Sequence, residues 1–123
     1  MASNKPTVLI IDDDLLMLEL YRRELGQDYA VLTCTDQNEA LTLFDTQTLN
    51  ALVLEPALAE GRGWDLLASV RLRAQELHLP IILCSILDER KRGMEGGAAA
   101  FLVKPVLPAH LRDTLHLTIG KNS

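Results

Sequence analysis

Five short apolar runs punctuate the chain: Val8–Ile11, Tyr29–Cys34, Leu52–Leu54, Ile81–Ser85 and Ala100–Val103. Four are nearly continuous rather than alternating, which is how strands covered by helices on both faces read. Helical patterns lie between them. The first carries Leu15, Leu16, Leu18, Leu20 and Leu25, with Gly26 as a stop signal. The second starts at Asp36, has Glu39 in capping-box spacing, and continues through Ala40, Leu41, Leu43 and Phe44. The third spans Trp64 to Glu76 with Leu66, Leu67, Val70 and Leu72 on its apolar side. A fourth, short and polar, lies near Asp88–Gly96 and stops at Gly96-Gly97, where a positive φ is easy. The last has Pro108 in its first turn and Leu111, Leu115 and Ile119 at spacings of four. Five strands alternating with five helices predict an α/β fold, a doubly wound parallel sheet with helices on both faces. Periodicity does not fix the strand order. Such sheets carry their sites at the carboxyl ends of the strands.

Size and charge narrow the picture. A chain of 123 residues suggests one domain, taken here as residues 1–123, large enough to bury a core without disulfides or metal staples. Aromatics make up only 4% of a chain that is 48% hydrophobic, so the core is expected to be aliphatic. Seventeen acidic against twelve basic side chains give a net charge of −5, which disfavours nucleic acid or an anionic membrane as a partner. Cys34 and Cys84 sit in apolar runs and read as reduced core residues of a cytoplasmic protein. No apolar run reaches the ~20 residues of a membrane span. Residues Met1–Pro6 are polar and lack the hydrophobic stretch of a signal peptide.

Chemistry gathers at the strand ends. The first strand runs into Asp12-Asp13-Asp14, the third into Glu55, the fourth ends in Ser85, and the fifth runs into Lys104-Pro105. In a parallel sheet all of these meet at one edge. Facing carboxylates repel, and Mg²⁺ with oxygen ligands relieves that repulsion. A lysine and a hydroxyl beside them can hold a phosphoryl group. Each feature alone is ordinary. An acidic triplet after a strand is usually a solvated helix start, and a lysine before a proline is usually a surface charge. The order and spacing of the set carry the argument. Asp12 and Asp14, with Ser85 and Lys104, also admit a small haloacid-dehalogenase-like phosphatase, but the chain is short for a cap domain and lacks a later acidic pair.

Taken in order, five blocks resemble the receiver domains of bacterial response regulators in two-component systems. They are Val8-Leu9-Ile10-Ile11-Asp12-Asp13, Ala51-Leu52-Val53-Leu54-Glu55, Gly63-Trp64-Asp65-Leu66-Leu67, Leu79-Pro80-Ile81-Ile82-Leu83-Cys84-Ser85, and Gly97 through Lys104-Pro105. The resemblance implies a flavodoxin-like fold with strand order 2-1-3-4-5. It implies an acid pair, Asp12 and Asp13, binding Mg²⁺ together with the residue at position 55 and the Ala57 backbone carbonyl. It matches Ser85 and Lys104 to the groups that hold the phosphoryl moiety, and Ser85 and Phe101 to the switch pair. It implies a histidine kinase or an output domain as partner.

The departures from that pattern are specific. Glu55 stands where the phosphoacceptor aspartate is expected, one methylene longer. In-line transfer is sensitive to such errors, and ~1 Å can cost about 100-fold. Pro56 follows it, while the family's loop proline position holds Ala59. Ile86 follows Ser85, where a small residue is usual, and the segment joining Ser85 to the fifth strand is short, trimming the fourth helix. These features point to an atypical, pseudo-receiver-like module that interacts with proteins independently of phosphorylation. Mg²⁺ binding is expected to be weak. The alternative is a working phosphoacceptor that takes its phosphoryl group from a histidine kinase. The docking face is expected around Asp88–Glu95 and Leu111–Ile119. His78, His110 and His116 read as surface or packing residues.

Overall fold

Each apolar run becomes a strand in a computed structural model that describes residues 5–120. The strands are β1 (Thr7–Ile11), β2 (Ala30–Cys34), β3 (Ala51–Leu54), β4 (Ile81–Ser85) and β5 (Ala100–Val103). They form one sheet in the order β2-β1-β3-β4-β5, every neighbouring pair parallel. This is the flavodoxin-like order implied by the resemblance. The residues Met1–Asn4 and Lys121–Ser123 lie outside the described part, so the reading of a polar N-terminus is addressed only from Lys5 on.

The helices are α1 (Leu15–Leu25), α2 (Gln37–Thr46), α3 (Leu58–Gly61), α4 (Gly63–Glu76), α5 (Arg90–Glu95) and α6 (Pro108–Gly120). Asp14 caps α1 by accepting from the Met17 N–H at 3.1 Å, and Asp36 caps α2 by accepting from Asn38 at 3.3 Å. The near-continuous runs are explained by two cores. Leu9, Ile11, Leu52 and Leu83 point to one side, where α4 and Phe101 cover them. Val8, Ile10, Val53 and Ile82 point to the other, under α1 and α6. Leu111 and Leu115 are fully buried there, each worth about 1.5–3 kcal/mol of burial. Tyr21 ties α1 to the far end of the sheet by donating to the Val106 carbonyl at 2.6 Å.

Two expectations change. Among the described residues the helices number six, not five. The extra one, α3, is not a right-handed turn throughout, since Ala59 (φ 50°) and Glu60 (φ 62°) are left-handed and Gly61 has φ 96°. Such a segment has no apolar period to announce it. The α6 side of the expected docking face also differs, because Leu111 and Leu115 belong to the core and only Leu117 among the leucines of α6 stands well exposed. His78, with φ 55°, closes α4, and His116 bonds Tyr29 Oη at 3.0 Å. Both are structural roles. Among the described residues no helix is long and apolar enough to cross a membrane.

Candidate functional site

The carboxyl edge of the sheet brings together Asp12, Glu55, Ser85 and Lys104. Asp12 follows β1 and Glu55 follows β3, and these strands are neighbours. The Glu55 N–H donates to the Ile11 carbonyl at 3.0 Å, which continues the β1–β3 ladder one step past the strand. Lys104 is fixed the same way, its N–H donating to the Ser85 carbonyl at 2.8 Å. The Lys104–Pro105 peptide is cis. Backbone pairing thus aims these side chains at one another.

The centre of the site is an ion triad. Lys104 Nζ donates to Asp12 Oδ2 at 2.7 Å and to Glu55 Oε1 at 2.9 Å. Both carboxylates are buried, and the lysine side chain is only 12% exposed. The remaining oxygens are held by the backbone. Asp12 Oδ1 accepts from Asp14 N–H at 3.1 Å, and Glu55 Oε2 accepts from Ala57 N–H at 3.0 Å. Burial raises the Asp12 pKa, while its bonds to Lys104 and to the Asp14 N–H pull it down. Burial acts to lower the Lys104 pKa, but the bonds to Asp12 and Glu55 outweigh it and the ammonium is held above its usual value. Charges removed from water need such pairing, because an unpaired one costs several kcal/mol.

The other sequence-marked residues fall in different places. Asp13 is exposed and takes no part in the triad. The Ala57 carbonyl accepts from Gly61 N–H at 3.1 Å within the left-handed loop. Ser85 is buried, and its Oγ accepts from the Leu87 N–H at 3.3 Å. Phe101 is buried against α5. Ile86 is 68% exposed and, instead of filling the site, lines a neighbouring groove of about 590 Å³ with Leu16, Leu107 and Lys104. The resemblance implied Asp12, Asp13 and Glu55 as metal ligands beside Lys104; here one ammonium holds Asp12 and Glu55.

The hard oxygens of Asp12 and Glu55 suit Mg²⁺ chemically. As arranged, they are a lysine site. Every carboxylate oxygen of the pair has a partner, the Ala57 carbonyl is engaged, and among the described residues no three acidic, histidine or cysteine side chains are grouped to hold a metal. A cation entering here competes with Lys104 Nζ for the same oxygens, which opposes tight binding.

Sequence reading missed two features. Arg92 lies over the Trp64 ring, its guanidinium carbon 4.0 Å from the centroid. Gly93, buried in the middle of α5, packs so closely on the Phe101 ring that a Cβ there would require the ring or Leu83 to shift. A lone glycine inside a charged helical stretch was the available signal. Gly63 is similarly placed at the start of α4, where a Cβ would lie 2.5 Å from the Glu55 carbonyl oxygen.

Comparison with known proteins agrees with this fold. Residues 8–116 match the response regulator receiver domain. The alginate biosynthesis transcriptional regulatory protein AlgB of Pseudomonas putida is 32% identical over 111 residues, covering 89% of this chain and 25% of AlgB. The probable transcriptional regulator ycf27 of Cyanophora paradoxa is 31% identical over 115 residues, covering 90% of this chain and 47% of that protein. The chain therefore spans about a quarter to a half of these curated relatives. Among solved structures, the receiver domain of the Francisella response regulator 1452 superposes with a TM-score of 0.86 at 24% identity, covering 97% of this chain and 100% of that one. A CheY-like receiver domain protein from Methanospirillum hungatei gives a TM-score of 0.87 at 20% identity, with 97% of each chain covered. At these identities the structures speak for the fold.

Proposed function

The chain belongs to the response regulator receiver domain family, and from that premise we propose that it acts in signal transduction as a phosphorylation-independent interaction module. Receiver domains of response regulators are signalling modules that bind histidine kinases and output domains, and they commonly bind Mg²⁺ at the phosphorylation site. The observation that carries the proposal is Lys104 clamped between buried Asp12 and Glu55. The lysine that would hold a phosphoryl group is already satisfied by the carboxylate at the acceptor position. Glu55 stands in for part of a phosphoaspartate. It supplies about one charge and two acceptor oxygens, where a phosphoryl group supplies nearly two charges and three. In this reading residues 1–123 are one cytoplasmic receiver-like unit. Its partner is a histidine kinase or an output domain, and the exposed charges of α5, Arg90 and Lys91 among them, orient the docking. The excess of acid argues that nucleic-acid contact lies outside this unit.

A second reading has its own support. Asp12, Glu55, Ser85 and Lys104 converge at the carboxyl edge in the order and places that the receiver resemblance assigns to phosphoryl chemistry. If the lysine releases Glu55, a phosphoryl group from a histidine kinase has an acid to attach to, at Glu55 or at Asp12 or Asp13. Intact mass spectrometry after incubation with acetyl phosphate and Mg²⁺ separates the two. The expected result is no added phosphoryl mass. A clear gain of one phosphoryl group that Glu55→Gln abolishes would replace the first reading with the second.

A further inference from the structure

The helix α5 has six residues, and a glycine stands among them at position 93. Glycine weakens helices, so its presence needs a cause. Backbone geometry is not the cause, because Gly93 is not among the residues with positive φ, unlike Gly61 and Gly97. Space is the cause. A Cβ at position 93 would lie 2.7 Å from Phe101 Cδ2 and 2.8 Å from Leu83 Cδ1. Carbon atoms in contact prefer roughly 3.5–4.0 Å. Leu83 is fully buried, and its strand lies between β3 and β5, so it has little room to retreat. Phe101 sits on the edge strand β5 and is 6% exposed, so its ring has a way out.

The outer side of the same helix is anchored one residue earlier. Arg92 covers Trp64 at the start of α4. The chain after α5 also lies close to α4, with Gly96 against Leu67 and Gly97 against the Arg71 side chain. These attachments tie the short helix to α4.

We infer that Gly93 is the positioning residue for Phe101, and that α5 couples the place of that ring to the Arg92–Trp64 contact. With no Cβ at position 93, the ring packs inside and α5 lies low enough for Arg92 to reach Trp64. When the ring leaves, or when α5 lifts to make room for a Cβ, the two contacts change together. The inference is independent of whether Glu55 takes a phosphoryl group.

Two probes already in the chain test it. The protein has two phenylalanines, Phe44 and Phe101, and one tryptophan. Labelling with 4-fluorophenylalanine gives a reporter at Phe101 and an internal reference at Phe44. In Gly93→Ala the Phe101 fluorine resonance should shift while that of Phe44 stays, and acrylamide should quench Trp64 more strongly. Adding Phe101→Leu to Gly93→Ala should return the Trp64 quenching toward its native value. The loss of urea midpoint caused by Gly93→Ala should also be much smaller in the Phe101→Leu background. Should Gly93→Ala fail to fold, recovery of folding in the double variant supports the coupling. Native fluorine and quenching signals in Gly93→Ala would show that Leu83 gave way instead and would overturn the inference. So would an equal loss of midpoint in the two backgrounds, or a double variant that also fails to fold.

Discussion

The Lys104 site and the Gly93 contact lie at opposite ends of β5 and are held by opposite means. At the first, a flexible ammonium meets two buried carboxylates. Glu55 is a methylene longer than an aspartate, and the four-carbon stem of Lys104 accommodates the difference while still reaching 2.9 Å. At the second, the backbone of α5 meets a buried ring and a buried leucine, and a single methyl group enters only if one of them shifts. A contact held by charge tolerates length; a contact held by packing does not. The same residue count can therefore hide a large change at α5 and a modest one at position 55.

The strongest way to break this comparison is to remove the charge that holds the first site. Lys104→Met leaves Asp12 and Glu55 buried without their cation. Breaking a buried pair in this way costs about 3–5 kcal/mol, measured as a loss of unfolding free energy in urea. Mg²⁺ should restore part of that loss, because the vacated oxygens suit a hard cation. A loss under about 1 kcal/mol would mean that water or a rearranged loop already screens the carboxylates. Glu55→Gln is the milder change. The amide oxygen still accepts from Lys104, and Asp12 still neutralises it, so the expected loss is about 1–2 kcal/mol. Equal losses from Lys104→Met and Glu55→Gln would show that Glu55 alone carries the site.

The loop beyond Glu55 sharpens the comparison from the backbone side. Ala59 has φ 50°, which proline, fixed near −65°, does not reach. Ala59→Pro should therefore cost more than about 1 kcal/mol, and Ala59→Gly should gain about 1 kcal/mol by relieving the left-handed penalty. Both are read from urea midpoints. A stabilising Ala59→Pro would mean that the loop adopts the family's ordinary conformation and that the Ala57 carbonyl is free to turn toward a metal.

These places also mark where sequence reading stops. The strands were legible because each is a short run of Val, Ile and Leu buried on both faces, and the boundaries of β4 and β5 match the runs at Ile81–Ser85 and Ala100–Val103. The convergence of Asp12, Glu55, Ser85 and Lys104 followed from a parallel sheet alone. The strand order came from the resemblance. The partners within the site were not legible. Whether Lys104 takes one carboxylate or two depends on distances that no spacing encodes, and Asp13 differs from Asp12 only in which way the chain turns after β1. The left-handed turn at Ala59–Gly61 was hidden because two of its three residues are not the usual ones for positive φ. Ile86 was noted as a bulky residue where a small one is usual, but its direction, out into the neighbouring groove, is not visible in a sequence. Gly93 was passed over for the converse reason, since what matters there is an atom that is missing.

The smallest expected effect concerns the two cysteines, buried at the carboxyl ends of β2 and β4. Both are free and buried. Burial pushes the Cys84 thiol from 9.0 up to about 12 and Cys34 from 9.0 up to about 11. The reactive form is the thiolate, so neither should react with a thiol reagent at pH 8 while the protein is folded. Both should react at once in denaturing urea. The sign of the pH dependence follows from the raised values. The unfolded chain loses these protons near pH 9, and the folded chain keeps them until about 11 and 12. Their contribution to stability is complete below pH 9 and declines as pH rises through that window. The Cys34→Ala/Cys84→Ala variant should therefore show a shallower alkaline loss of stability than the native chain. The slope should not vanish, because Tyr21, raised by burial to about 12, titrates in the same range. An unchanged slope, or labelling of the folded protein at pH 8, would mean that the sheet opens near Cys84 often enough to expose the strand beside Lys104. The triad would then be a looser clamp than its distances imply.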